Sequence, residues 1–292
     1  MRSLWEFLKS LKRPEERSDK GHERETEGPK PEVRRESGGD AKAHGPLIRK
    51  RKEKVHIQVG LDFGTSSTKA VYSHVGRRLS RAVCFRHNLP NYPQYCLPSL
   101  AAIDSRGELL LGTDAAKFLA NREWDSGLQR FKVIVAGQHD EAFRDAVTVK
   151  NFHRYLEDCG FADRITAEEL TALYVAYAMR ECRELIERSK DYRDVELDIA
   201  FNICMPIDHI QNNVVNGVFR KIFSKAEGIE LAWRTSTKGI DLWGSLQGRG
   251  EEPQISEKRV FAIPEAVAAM ASYLVSLRRQ PGLHAIIDLG AG

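Results

Sequence analysis

Asp62, Gly64, Thr65, Ser66, Ser67, Thr68 and Lys69 stand together between two apolar runs, in the stretch VGLDFGTSSTKAVY at 59–72. An ordinary hairpin needs only two turn residues, usually Asn-Gly or Asp-Gly. Here a carboxylate precedes a row of small hydroxyl residues, which is more than chain reversal requires. Small residues let the backbone approach a ligand closely, and consecutive turn N–H groups form an anion-binding concavity. The hydroxyls of Thr65, Ser66 and Ser67 can add donors, while Asp62 can hold water molecules on a hard cation such as Mg²⁺. The same order of residues recurs in HAIIDLGAG at 284–292: an apolar run, then Asp288, an apolar residue, Gly290 and small residues. Either segment alone reads equally well as a buried strand with a capping Asp. Two copies favour a pair of half-sites gripping a polyphosphate and its metal from opposite sides. A P-loop and a dinucleotide fold are excluded, because no G-x-x-x-x-G-K-[ST] occurs and no G-x-G-x-x-G follows a strand.

The elements that would position these residues follow from hydrophobic period. Residues 55–63 and 69–75 read as strands around the opening turn, and 97–104 as another, followed by GELLLG at 107–112. Residues 113–122 and 141–158 have weak helical character. A stronger helix starts at Thr166, where Thr-Ala-Glu-Glu is a capping-box signature. Val195, Leu197, Ile199, Phe201, Ile203 and Met205 alternate as one apolar face of a strand. Pro206 ends that strand, and 208–228 reads as a helix closed by Gly228. A close-packed, Ala-rich helix over 265–279 and a last apolar strand at 284–292 complete an α/β pattern.

The 292 residues are 41% hydrophobic and 29% charged, with a formal net charge of +4. Residues 1–54 hold 16 Lys and Arg against 11 Asp and Glu, leaving 29 against 30 for residues 55–292. The nearly neutral remainder gives no reason to expect nucleic-acid binding. Residues 14–54 are too poor in aromatic and β-branched residues to offset chain entropy, so 1–54 is expected to be a disordered charged tail. Its basic end, RKRKEK at 49–54, reads as a solvated linker in preference to an anionic-surface contact. Leu4, Trp5, Leu8 and Leu11 share one face of a short helix. That face fits a partner or a membrane surface, with membrane contact the less favoured, and fits equally a helix that frays alone in water. The scattered Cys84, Cys96, Cys159, Cys182 and Cys204 suit a reducing compartment. No apolar run reaches the roughly 18–20 residues that span a bilayer, and the N-terminus lacks a signal-peptide core. A cytoplasmic location is expected.

GLDFGTSSTK at 60–69 resembles the first phosphate motif of the actin-like ATPase superfamily, and HAIIDLGAG at 284–292 resembles its second, cut off before the hydroxyl residues that normally follow. The residues between choose within the superfamily. LPSLAAIDSRGELLLGTDAAKFLA at 97–120 is similar to the segment of DnaK-type heat-shock chaperones in which a Thr-Pro-Ser strand leads into Gly-x-x-Ala. The helix from Thr166 and LDIAFNICMPIDHIQNNVV at 197–215 resemble their long helix, Val-Thr-Val-Pro strand and following helix, and IPEAVAAMASY at 263–273 resembles their Glu-Pro-Thr-Ala-Ala helix. The resemblance covers about 55–292. It implies the first lobe of an actin-like (ribonuclease H-like) ATPase, a mixed β-sheet flanked by helices. It implies ATP and Mg²⁺, with Asp62 and Asp288 orienting the metal through water. Gly64, Thr65, Ser66 and Ser67 would wrap the phosphates, with Gly290 and Gly292 in the matching turn. Glu265 would stand near the metal and attacking water. Lys132, in FKVIVAG at 131–137, would stabilise charge on the γ-phosphate. Away from the resemblance, Lys132 reads as a surface lysine and Glu265 as a carboxylate favoured at a helix start.

The resemblance further implies that hydrolysis drives a conformational switch controlling a protein client, with a client or co-chaperone as partner. An actin-like assembly or scaffold protein and a small-molecule kinase share the same first motif and stay open. Three departures mark this chain: the N-terminal tail, an insertion between Gly228 and Val260 holding Trp233 and Trp243, and an end at Gly292 inside the second motif. In the family a second lobe follows that motif, so 1–292 alone is expected to be inactive.

Overall fold

The computed structural model describes residues 53–77, 79–120, 122, 127–236, 242–247, 259–265 and 268. The chain divides into units Met1–Arg49 and Lys50–Gly292, and the described residues all lie in the second. The tail up to residue 52, its amphipathic helix, nearly all of the helix expected at 265–279 and the strand at 284–292 lie outside them.

The period-2 pattern at the start of the folded region becomes β1 (Lys54–Phe63), with Val55, Ile57, Val59, Leu61 and Phe63 buried along one face. β2 (Ser67–His74) returns antiparallel, with Val59 opposite Tyr72 and Asp62 opposite Lys69. β3 (Leu79–Ala82) pairs antiparallel with β2. The stretch 97–104, expected as one strand, is two: β4 (Leu97–Pro98) pairs with β2, and β5 (Ala101–Ile103) pairs with β6 (Leu109–Leu111) in a separate two-stranded sheet. The break has a local cause. Pro98 has no N–H for a ladder, and Ser99 gives its own N–H to the Ser66 carbonyl.

Helices α1 (Gly112–Leu119), α2 (Phe131–His139), α3 (Ala146–Asp158) and α4 (Ala167–Glu187) follow. The expected capping box is present at α4: Thr166 accepts from the Glu169 N–H, and the Glu169 carboxylate accepts from the Thr166 N–H. β7 (Glu196–Met205) runs parallel to β1 and shows the expected alternation, with Ile199, Phe201, Ile203 and Met205 buried. The helix expected over 208–228 is broken and longer. A turn of helix, α5 (Ile207–Gln211), stops at Asn212, whose side chain caps α6 (Asn213–Thr235) by accepting from the Val214 and Val215 N–H groups. Gly228 does not close α6. It is a buried residue inside it, where tertiary packing overrides its local preference. The N-terminal part of the insertion is therefore helix. Trp233 is buried on α6 and donates its indole N–H to Ser245 in α7 (Leu242–Gln247) at 2.7 Å. β8 (Val260–Pro264) lies parallel to β7.

The main sheet has the order β3-β2-β1-β7-β8, with β4 paired to β2. It is a mixed sheet in an α/β fold, with three antiparallel strands followed by two parallel additions. Helices flank it, and the core continues from its buried face into α4 and α6. α4 and α6 are joined by Arg183 and Glu230, whose buried side chains lie 2.6 Å apart. No helix among the described residues is long and apolar enough to cross a membrane.

Candidate functional site

β1, β7 and β8 all run the same way, so their carboxyl ends share one rim of the sheet. Leu61 is level with Ile203, and Met205 with Pro264. Asp62, Cys204 and Glu265 therefore gather at that rim, where open α/β sheets place ligands.

The turn between β1 and β2 is polarised. The Gly64 N–H donates to the Asp62 carbonyl at 3.0 Å. The carbonyls of Gly64 and Ser66 are turned inward, accepting from the Ser99 hydroxyl at 2.8 Å and the Ser99 N–H at 3.1 Å. Among the described residues, nothing accepts from the N–H groups of Thr65 and Ser66 or hydrogen-bonds the hydroxyls of Thr65, Ser66 and Ser67. Carbonyls in and donors out is the polarity an anion needs. Glycine is required at 64, because a Cβ there would stand 2.3 Å from the Ser67 carbonyl oxygen.

Behind the turn sits a buried polar knot. The Tyr174 hydroxyl on α4 donates to the Pro98 carbonyl at 2.9 Å and lies 3.0 Å from Thr68 Oγ1 and 3.3 Å from Ser99 Oγ. Thr68 and Ser99 are themselves 3.1 Å apart. Burial pushes the Tyr174 phenol well above its ordinary value, so the donor stays protonated. Its ring stacks on Phe63, and Lys132 Nζ lies 5.7 Å from the Phe63 ring centroid.

Lys132 is not on the surface. It occupies the first turn of α2, is only 6% exposed, and its Nζ lies 2.7 Å from Glu265 Oε1. A cation in the first turn opposes the helix dipole, so local helix stability does not account for this lysine. Lys69 pairs loosely with Asp62 at 3.8 Å across the ladder. Cys204 registers the surrounding charge: burial first, then the carboxylates of Asp62 and Glu265, push its thiol up to about 12, with Lys132 opposing. Nearby, His209 on α5 lies between the rings of Phe143 and Phe219. Burial, then Lys132, hold its imidazole below the ordinary value, against Glu265 and Asp208.

The structure thus brings Lys132 and Glu265 into contact and places Asp62, Gly64, Thr65, Ser66 and Ser67 on the same rim. Asp288, Gly290 and Gly292 lie outside the described residues. Ser99, Tyr174 and Cys204 had no sequence signal as site residues, although Ser99 stands in the very stretch that resembles Thr-Pro-Ser. Among the described residues no group of three His, Cys, Asp or Glu side chains forms a metal cage. A magnesium ion held through water would instead use Asp62 and ligand oxygens, which suits a hard cation that keeps most of its hydration. No known family model matches the chain, and no curated protein does.

Proposed function

We propose that this chain contributes the first lobe of a DnaK-like, actin-type ATPase, binding ATP with Mg²⁺ and using hydrolysis to switch conformation over a protein client. The observation that carries the reading is the Lys132–Glu265 pair, 2.7 Å apart at the strand rim that holds Asp62. The strand order supports it, since an antiparallel β1-β2-β3 meander with β7 and β8 added parallel to β1 suits a ribonuclease H-like lobe. Bound nucleotide would supply the scissile γ-phosphate and, with Mg²⁺, the charge to be neutralised.

The outward N–H groups at Thr65 and Ser66 would bind phosphate oxygens, and the neighbouring hydroxyls would add donors. Asp62 would hold metal-bound water. Lys132, anchored by Glu265 and shielded from solvent, would present a fixed positive charge with no reorganisation needed on binding. Glu265, partly exposed, would orient water through its second carboxylate oxygen, which no described residue hydrogen-bonds. Orientation and electrostatics are what phosphoryl transfer asks of a protein.

The test is Mg²⁺-dependent ATP turnover by the native full-length protein, with Asp62→Ala and Lys132→Met beside it. Slow turnover that either substitution abolishes is the expected result. Absence of nucleotide binding, or turnover unchanged in both variants, overturns the reading.

A further inference from the structure

We infer that the β3 edge of the sheet is a docking site for an acidic, extended segment of a partner protein, which adds to the sheet as a further strand. β3 ends the strand path, and among the described residues only β2 pairs with it. The Val83 N–H donates to the Ala70 carbonyl at 2.8 Å. Antiparallel ladders alternate, so Ser80 and Ala82 direct their N–H and C=O groups away from β2. Such an edge is a template for another strand.

A groove of about 590 Å³ lies beside this edge, floored by Tyr72 and Val83 and walled by the end of α4 and the turn at Lys190–Tyr192. Its charge is one-sided. Arg81, Arg86, Lys190 and Arg193 line it together with Asp191, which Arg81 already engages. Arg188 also lines it, but it caps the helix C-terminus and is held by Glu184 at 2.7 Å, as the helix dipole favours. The helix explains none of the others. Among the described residues no ion pair engages Arg86, Lys190 or Arg193. Arg86 is also held at φ +53°, a left-handed conformation that costs a non-glycine residue roughly 1–2 kcal/mol.

Charge complementarity selects the occupant. A strand laid against Ser80–Ala82 would drop alternate side chains into the groove, so carboxylates two residues apart would meet the arginines and the lysine. A nucleic-acid strand would need aromatic faces to stack on, and Tyr72, the ring lining the groove, is buried.

The experiment titrates the full chain, without nucleotide, into a fluorescent peptide of alternating Glu and Val and reads anisotropy. Its outcome is independent of the ATPase reading. Saturable binding is expected. Charge reversal at Arg86→Glu, Lys190→Glu and Arg193→Glu together should weaken it at least about tenfold, equivalent to about 1.4 kcal/mol. The same peptide N-methylated on alternate backbone nitrogens along either edge should lose binding for one of the two edges, a comparison that leaves the protein unaltered. A Lys/Val peptide should not bind. No saturation, equal binding of both methylated peptides, or tighter binding of a single-stranded oligonucleotide than of the acidic peptide each overturns the inference.

Discussion

Lys132 Nζ and Glu265 Oε1 meet at 2.7 Å across 133 residues of sequence, one from the first turn of α2 and one from the position just after β8. The two partners differ in burial, with side-chain exposures of 7% for Lys132 and 27% for Glu265. Their removal should therefore be unequal. Lys132→Met leaves a carboxylate that can reach water and should cost about 1–3 kcal/mol. Glu265→Ala strands a buried ammonium and should cost more, about 3–5 kcal/mol. Urea unfolding of both variants gives the comparison. Equal costs would mean that the pair opens to solvent, and Lys132 would lose the fixed position on which the proposed ATPase depends.

The β1–β2 turn contains its own control. Gly64→Ala puts a Cβ 2.3 Å from a backbone oxygen that cannot move without breaking the turn, whereas Gly60→Ala, four residues earlier, meets only the Val71 carbonyl at 3.8 Å. Gly64→Ala should lose about 2 kcal/mol or more, and Gly60→Ala should stay within about 1 kcal/mol of the parent. Thermal unfolding distinguishes them. Similar melting temperatures would show that the turn relaxes and that glycine at 64 is not a steric requirement.

What the sequence makes legible is what local period and local capping determine. β1 and β7 declare themselves by alternation over ten residues each, and α4 by its capping box. The strands β3, β5 and β6 pair with near neighbours in the chain but are too short to show a period, β8 is fixed by a partner far away in sequence, and the expected single strand at 97–104 misses the division between two sheets. VIVAG at 133–137 gives a short apolar run without period, so α2 is not legible. Gly137 within it faces Arg144 so closely that a Cβ would approach its Cα to 2.9 Å. The site divides along the same line. Asp62 and the hydroxyl row stand out because they exceed what a turn needs, and Lys132 and Glu265 stand out only through resemblance. Ser99 and Tyr174 support the turn by hydrogen bonds across 35 and 106 residues, a relation no local pattern carries.

Tyr174→Phe tests that support directly. The substitution keeps the ring against Phe63 and removes one donor, leaving the Pro98 carbonyl without it while Thr68 and Ser99 still face each other at 3.1 Å. A loss of about 1–2 kcal/mol is expected. The Ser99 amide, which holds the Ser66 carbonyl, should also exchange its hydrogen faster. Unchanged exchange at Ser99 would show that the turn is held without the tyrosine.

His209 makes stability depend on pH with a definite sign. Its ring is buried between Phe143 and Phe219, and no described residue hydrogen-bonds its Nδ1. Burial and the Lys132 charge depress its affinity for a proton, and Glu265 and Asp208 only partly offset this. The unfolded chain, whose histidine titrates near 6.5, therefore binds more protons than the folded one as pH falls through that value. Stability rises with pH wherever the unfolded state holds the excess protons, so this residue destabilises the fold progressively below about pH 6.5. The effect levels off once the pH is below the folded value as well. His209→Phe removes the titration while filling a similar aromatic slot. The difference in unfolding free energy between the variant and the parent should thus move in the variant's favour as pH falls from about 8 to about 5. Denaturation curves at matched ionic strength give that difference, and two parallel pH profiles would show that the imidazole is solvated after all.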